Sequence, residues 1–212
     1  MPLQNRVLPS GEIVSSPMRG TLMGNRGGRI HDPLTMRLVP NRRWTSKQWI
    51  CCQTEFNNRH REVMGNSYTE LFFLDEVSAF SAGHRPCFEC RRADFLSFAE
   101  CWRKAIGASK RPTAKQMDDV LHAERLDGKN KRIQRRFWEE LPVGTMITHD
   151  GGAVAKTRQG ALRWTDQGYE SLSAEISFEN RLVSCLTPDS ILAVLAKGYH
   201  PQWHPTAKIS DQ

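Results

Sequence analysis

The 212-residue chain lacks any apolar run approaching the roughly 20 residues that a membrane-spanning helix requires. Its N-terminus, MPLQNRVLPSGEIVSS, lacks the charged start and apolar stretch of an export signal, so the cytoplasm is the expected compartment. Acidic residues are in deficit: 23 Asp and Glu face 30 Lys and Arg, a formal charge of +7. That balance disfavours cationic partners and favours polyanions, nucleic acid foremost. There is no P-loop and no dinucleotide-binding fingerprint. The six cysteines do not suggest a disulfide scaffold in a reducing compartment, where a clustered subset reads as metal ligands or redox chemistry.

The positive charge is concentrated in two places. Residues 1–48, read as a basic Gly/Arg-rich N-terminal arm, carry eight Lys or Arg against two carboxylates. Within them, Arg26 and Arg29 belong to RGTLMGNRGGRIHD, whose four glycines permit a loop that turns backbone N–H groups toward an anion. The second block is KNKRIQRR, with Lys129, Lys131, Arg132, Arg135 and Arg136. These residues are the candidate nucleic-acid contacts, with Trp138 as a base-stacking partner. A solvated link between domains accounts for the second block equally well. Whether the two blocks meet is a question for tertiary structure.

Periodicity and turn residues predict an α+β fold. A hairpin is expected from WICCQTEF (49–56), a turn at Asn57-Asn58 and RHREVM (59–64). TELFF (69–73) reads as a buried strand. Helices are expected near 75–82, stopped by Gly83; over 91–106, with Phe95, Phe98, Cys101 and Trp102 inward; and over 113–126, with Met117, Val120 and Leu121 inward. After Pro142 come short strands in TMITHD, AVAKT, ALRWT and RLVSCL, then a helix from Thr187-Pro188 to Gly198. The expected organisation is the arm 1–48, a zinc-containing unit of hairpin and helices at 49–140, and a β-rich unit closed by a C-terminal helix at 141–212.

The most informative residues are Cys87-Phe88-Glu89-Cys90, a CxxC that opens a helix. This spacing lets both thiolates turn toward one ion, and the helix N-terminus with Arg85, Arg91 and Arg92 favours the thiolate form. A redox pair and a chance spacing of two thiols are the alternatives. Structural zinc takes four ligands. Cys52 is the third candidate and Cys51 its rival, since neighbours in a strand face opposite ways and a regular strand disfavours both reaching one ion. The fourth is the other of these two, His84, or water, and water would make the site a catalytic one. Cys101 lies about 16 Å along the helix from Cys90 and reads as a core thiol, as does Cys185.

The run AGHRPCFECRR, preceded by a short helix, resembles the end of the metal-binding module of Ada-type DNA methylphosphotriester repair proteins. There an AG-aromatic-RPC-x-x-C run supplies the last two zinc cysteines. The resemblance covers residues 74–95. It implies zinc-ligand roles for Cys87 and Cys90, and damaged or modified DNA as a partner. The family's earlier C-x-x-x-C pair, one cysteine of which accepts the methyl group, is replaced here by adjacent Cys51-Cys52, so methyl transfer is not carried over. Over its whole length the chain also resembles a bacterial family sharing the GTLMGNRG, TELFFLDE, HRPCFECRR and LHAERLDG blocks, a likeness that implies no activity.

A second constellation is His122-Ala123-Glu124. With Pro86-Cys87-x-x-Cys90 it is similar to the H-x-E and P-C-x-x-C motifs of zinc nucleobase deaminases, in reversed order. Residues two apart on a helix point about 200° apart, so an exposed His122–Asp118 pair is the plain alternative. The sequence therefore supports a zinc-binding protein that contacts nucleic acid. The other readings are a zinc-dependent hydrolase or deaminase with Glu124, His122 or Glu89 moving protons, and a zinc-stabilised interaction module.

Overall fold

The computed structural model describes residues 2–59 and 62–209. Six strands, β1 (Gln4–Val7), β2 (Ile13–Ser15), β3 (Leu22–Arg26), β4 (Trp49–Gln53), β5 (Leu71–Phe73) and β6 (Arg85–Pro86), form a first sheet in the order β2-β1-β5-β3-β4-β6. β3 runs antiparallel to β4 and β5, whereas β4 and β6 are parallel. Side chains alternate across this sheet. Leu22, Cys51, Leu71 and Phe73 enter the main core. Their neighbours Met23, Ile50, Cys52 and Phe72 line a cleft on the other face. Gly24 sits at the closest strand approach: a Cβ there would lie 2.0 Å from the Ile50 carbonyl oxygen and 2.8 Å from the Phe73 ring.

Four helices, α1 (Glu76–Ser81), α2 (Arg92–Ala105), α3 (Ala114–Arg125) and α4 (Asp189–Ala196), supply the rest of that core. Phe80, Phe98, Trp102, Leu121, Val194 and Tyr199 pack with the strands. The local sequence explains the helix ends. Asp75 with Ser78 and Thr113 with Gln116 form reciprocal capping boxes, which satisfy N-terminal N–H groups. Gly83, at φ +85°, takes the left-handed conformation that ends α1. Val120, expected inward on α3, is exposed, whereas Met117 and Leu121 are buried.

The second sheet, β7 (Gln134–Phe137), β8 (Met146–His149), β9 (Gly152–Thr157), β10 (Gly160–Thr165), β11 (Gly168–Ser171) and β12 (Leu182–Cys185), is antiparallel in the order β7-β12-β8-β9-β10-β11. Met18, Leu74 and Val77 from the first half pack with Met146, Ala155, Tyr169 and Leu186 from the second. Helix α4 faces both ways, placing Ile191 and Val194 in the main core and Leu192 in the cluster under the second sheet. It therefore does not close the β-rich part alone.

The fold is α+β, as the patterning predicts. One expectation is corrected in detail. Residues of the 1–48 segment are not an arm, because β1, β2 and β3 are built into the first sheet, β1 and β3 each pairing with β5. The strand at 49–53 exists, and its partners among the described residues are β3 and β6. The expected return strand includes His60 and Arg61, which lie outside the described residues. The apolar face of β4 is covered better by β3 and the helices than a two-stranded hairpin could manage.

Candidate metal centre

The ligand atoms of Cys52, Cys87 and Cys90 lie within 4.8 Å of one another. Three local features bring them together. Cys52 is the outward-facing residue of β4, beside β6. The Cys87 N–H donates to the Cys51 carbonyl at 2.9 Å, which extends the β4–β6 ladder into the CxxC turn. Cys90 then closes that turn, just ahead of α2. Thiolates around a tetrahedral ion, each about 2.3 Å from it, stand about 3.8 Å apart, so the spacing suits a metal. Three cysteines that could bind a metal ion are thus assembled at one point.

Cys52 and Cys87 are buried and Cys90 is half-buried. Hydrogen bonds from the Cys52 and Cys90 thiols, with the Cys90 and Glu89 backbone N–H groups, push the Cys87 thiol down to about 2. Cys52 is pushed up, first by its hydrogen bonds to Cys87 and Cys90 and then by burial. The Cys87 sulfur thus accepts hydrogen bonds from its two neighbours, a position that a divalent cation could take instead. The cysteines form part of the wall of a cleft of about 230 Å³, which Asn25, Glu70, Phe72 and Glu89 also line.

Cys51 and His84 are not members of this cluster. Cys51, one residue from Cys52, points into the core, where its sulfur accepts a hydrogen bond from Arg91 Nη1 at 3.3 Å. Burial pushes its thiol up to about 12. Arg91 also binds Glu76 at 2.8 Å and Asp94 at 2.7 Å, and Glu76 accepts from Tyr199 Oη and the Gln202 N–H, both at 2.9 Å. This buried network anchors the start of α2, and with it Cys90. His84 lies on the helix-covered side, between the rings of Trp49 and Phe73 at 5.1 and 4.6 Å. Burial first, then Arg26, Arg125 and Lys131, hold it well below the usual histidine range. The alternation of side chains along β4 and the position of His84 before β6 decide both corrections. Among the described residues, the protein supplies three ligands to this point.

The His-Ala-Glu constellation does not face the cysteines. Glu124 accepts from the Ser190 N–H at 2.9 Å and Oγ at 2.7 Å, tying α3 to the first turn of α4. His122 packs against Trp44, with ring centroids 5.7 Å apart. Asp118 is buried and binds Arg85 through two hydrogen bonds of 2.9 and 2.7 Å, instead of pairing with His122 at the surface. Glu89 does border the cleft, where it is exposed and ion-paired to Arg59 at 2.6 Å. A carboxylate that sequence reasoning passed over is Glu70, which is 2% exposed. Its Oε2 accepts from the Met64 N–H at 2.9 Å, while its buried Oε1 has no hydrogen-bond partner among the described residues. The available signal was a carboxylate beginning an otherwise apolar strand.

The two basic blocks do meet. Arg26 and Arg43 from the first, and Lys129 and Lys131 from the second, border one cleft with Arg125. Arg26, expected at the surface, is buried: Nη2 donates to the Gly11 carbonyl at 2.7 Å, and its guanidinium carbon lies 3.9 Å from the Trp49 ring centroid. Arg29, Arg132 and Arg135 are exposed. Arg135 and Arg136 belong to β7, the edge strand of the second sheet, and Arg136 pairs with Asp189 at 3.0 Å. Trp138 is not free to stack on a base, because it is packed on Phe178 and under Lys156. No helix among the described residues is long and apolar enough to cross a membrane. Comparison with family models, curated proteins and solved structures finds no match, so the chemistry of the site rests on its own residues.

Proposed function

We propose that this is a zinc-binding protein that contacts nucleic acid, with the ion held by Cys52, Cys87 and Cys90. The clustering of these three thiols on the wall of an open cleft carries the reading. Zinc is the ion that an all-sulfur set favours in a reducing compartment. With three ligands among the described residues, a fourth position is open to water or to a bound group. Around it, Phe56, Phe72 and Tyr68 supply aromatic walls for a base, and Arg59 and Asn25 supply polar groups. The Ada-type resemblance over residues 74–95 agrees with ligand roles for Cys87 and Cys90 and adds damaged or modified DNA as the target to test.

A second reading is zinc-dependent hydrolysis or deamination of a nucleobase or nucleotide, and Glu70 favours it. Its Oε1, without a hydrogen-bond partner among the described residues, lines the same cleft as the three cysteines; were they to hold zinc, the ion would supply an activated water and Glu70 would be the candidate proton acceptor. Glu89 is the alternative proton carrier.

One set of measurements separates these readings. Protein purified without added zinc should contain about one zinc per chain, lost in Cys52→Ser, Cys87→Ser and Cys90→Ser. Binding to single- and double-stranded DNA should then weaken steeply as salt rises. Saturable binding that ignores the Cys52→Ser change would separate nucleic-acid contact from the metal. Turnover of nucleotides lost in Glu70→Gln, with zinc retained, would establish the enzymatic reading instead.

A further inference from the structure

On the side of the first sheet opposite the cysteines lies a second cleft, of about 240 Å³. The alternation along two paired strands separates the clefts. Asn25 and Ile50 line the first, whereas their neighbours Arg26 and Trp49 line the second. Five cations border this second cleft, and the one carboxylate on its wall is the exposed Glu12. Among the described residues, none of Arg26, Arg43, Arg125, Lys129 and Lys131 forms an ion pair.

Two of these cations are deeply buried. Arg26 is 3% and Arg125 1% exposed, and their guanidinium carbons lie 3.9 and 4.1 Å from the centroid of the same Trp49 ring. Their hydrogen bonds go to neutral acceptors: Arg26 to the Gly11 carbonyl and the His84 ring, and Arg125 to the Gly83 and Lys47 carbonyls and the His122 ring. Lys131 donates to the Ser81 carbonyl in the same way. Carbonyls satisfy donors but leave the charge in place. The buried Nε of Arg125 has no acceptor among the described residues. An indole face attracts a cation, but two cations share this one ring, and a buried charge without a counter-charge remains costly. A multivalent anion is the ligand that removes this cost.

We propose that this cleft binds the phosphate group of a small phosphomonoester, with Arg26, Arg43, Arg125 and Lys131 as its donors and the half-exposed Trp44 as the adjoining aromatic wall. Guanidinium forks match phosphate oxygens in pairs, and four cations around one group select a dianion over a carboxylate. The volume lies just below the roughly 300–1,000 Å³ of drug-sized ligand sites, which suits a phosphate with one ring rather than a polymer. Trp44 lies 6.0 Å from Trp49 and offers a face on which such a ring can stack. The surroundings agree: burial first, then Arg26 and Arg125, push the Lys131 ammonium down to about 7, with Cys185 opposing them. An anion bound beside it reverses that push. This site depends on neither the metal nor the nucleic-acid reading.

The test is calorimetric titration of the full chain in low-chloride buffer with inorganic phosphate, a nucleoside 5′-monophosphate and the matching nucleoside. Phosphate and monophosphate should bind, the nucleoside about tenfold more weakly or worse. Lys131→Met should weaken monophosphate binding about tenfold while leaving the ligand-free melting temperature unchanged or higher. Should that variant fail to fold, the exposed pair Arg43→Ala with Lys129→Ala carries the test, with an expected loss of several-fold. The absence of saturable binding up to about 1 mM, nucleoside binding as tight as monophosphate, or unchanged affinity in the folded variants would overturn the site. Tighter binding of a 5′-phosphorylated oligonucleotide than of the mononucleotide would overturn the small-molecule assignment.

Discussion

Removing the metal should destabilise the protein measurably without unfolding it. The three thiols come from β4 and from the two ends of the CxxC turn that leads into α2, so an ion there crosslinks the strand to the turn. In small zinc fingers the ion supplies about 10–16 kcal/mol, nearly all of the folding energy. Here the main core and the Arg91–Glu76 network hold the same elements without it, and Cys87 stays tied to Cys51 by a 2.9 Å backbone bond. The effect is therefore the mass-action term. For free zinc at about 100–1,000 times its dissociation constant, this is about 2.7–4.1 kcal/mol. For a domain of this size each kcal/mol moves the melting temperature by roughly 2–4 °C, so chelation should lower it by about 5–16 °C. Differential scanning fluorimetry with and without a chelator, beside elemental analysis, reads this directly. Cys51→Ser should retain the metal and Cys52→Ser should lose it. A parent protein without metal, whose melting temperature ignores chelator and added zinc alike, would refute the site. Metal lost in Cys51→Ser but kept in Cys52→Ser would refute the assignment of faces along β4.

Three further outcomes follow from the packing. Glu76→Gln breaks a buried pair with Arg91 at 2.8 Å, and should cost about 3–5 kcal/mol in urea unfolding at pH 7; a loss below about 1 kcal/mol would show that Asp94 and Cys51 suffice for Arg91. Gly24→Ala forces a Cβ against the Ile50 carbonyl oxygen at 2.0 Å, so it should cost about 3 kcal/mol or more and lower zinc occupancy by shifting β4, as urea titration and elemental analysis would reveal. Lys131, at about 7 in the folded protein against 10.5 ordinarily, loses its proton on folding above neutrality. The unfolded chain then binds more protons, so the Lys131 contribution to stability rises with pH upward from about 7, and the slope of stability between about pH 7 and 8.5 should flatten in Lys131→Met. An unchanged slope would mean that Lys131 keeps its charge in the fold.

Features set by neighbours in the chain were legible from the sequence. Thr113 with Gln116, Gly83 and the helical spacing of Phe95, Phe98 and Trp102 mark helix ends and faces, because capping and periodicity act within a turn or two. The CxxC announced itself for the same reason, since its two thiols need only one turn to converge. Alternation along a strand was enough to set Cys51 and Cys52 against each other as the third ligand. Which of them it is depends on the faces of a sheet whose strands come from residues 4 to 86, and chain-local patterns carry no information on such pairing. The same pairing turned a presumed arm into three strands and left Glu70 facing the cysteines' cleft. It also separated His122 and Glu124 from the metal and gathered Arg26, Arg43, Arg125, Lys129 and Lys131 at one cleft. The sequence by itself determined the helices, the α+β class and the chemical type of the candidate metal site; tertiary structure alone decided its third ligand and the meeting of the two basic blocks, because both depend on contacts between residues dozens of positions apart.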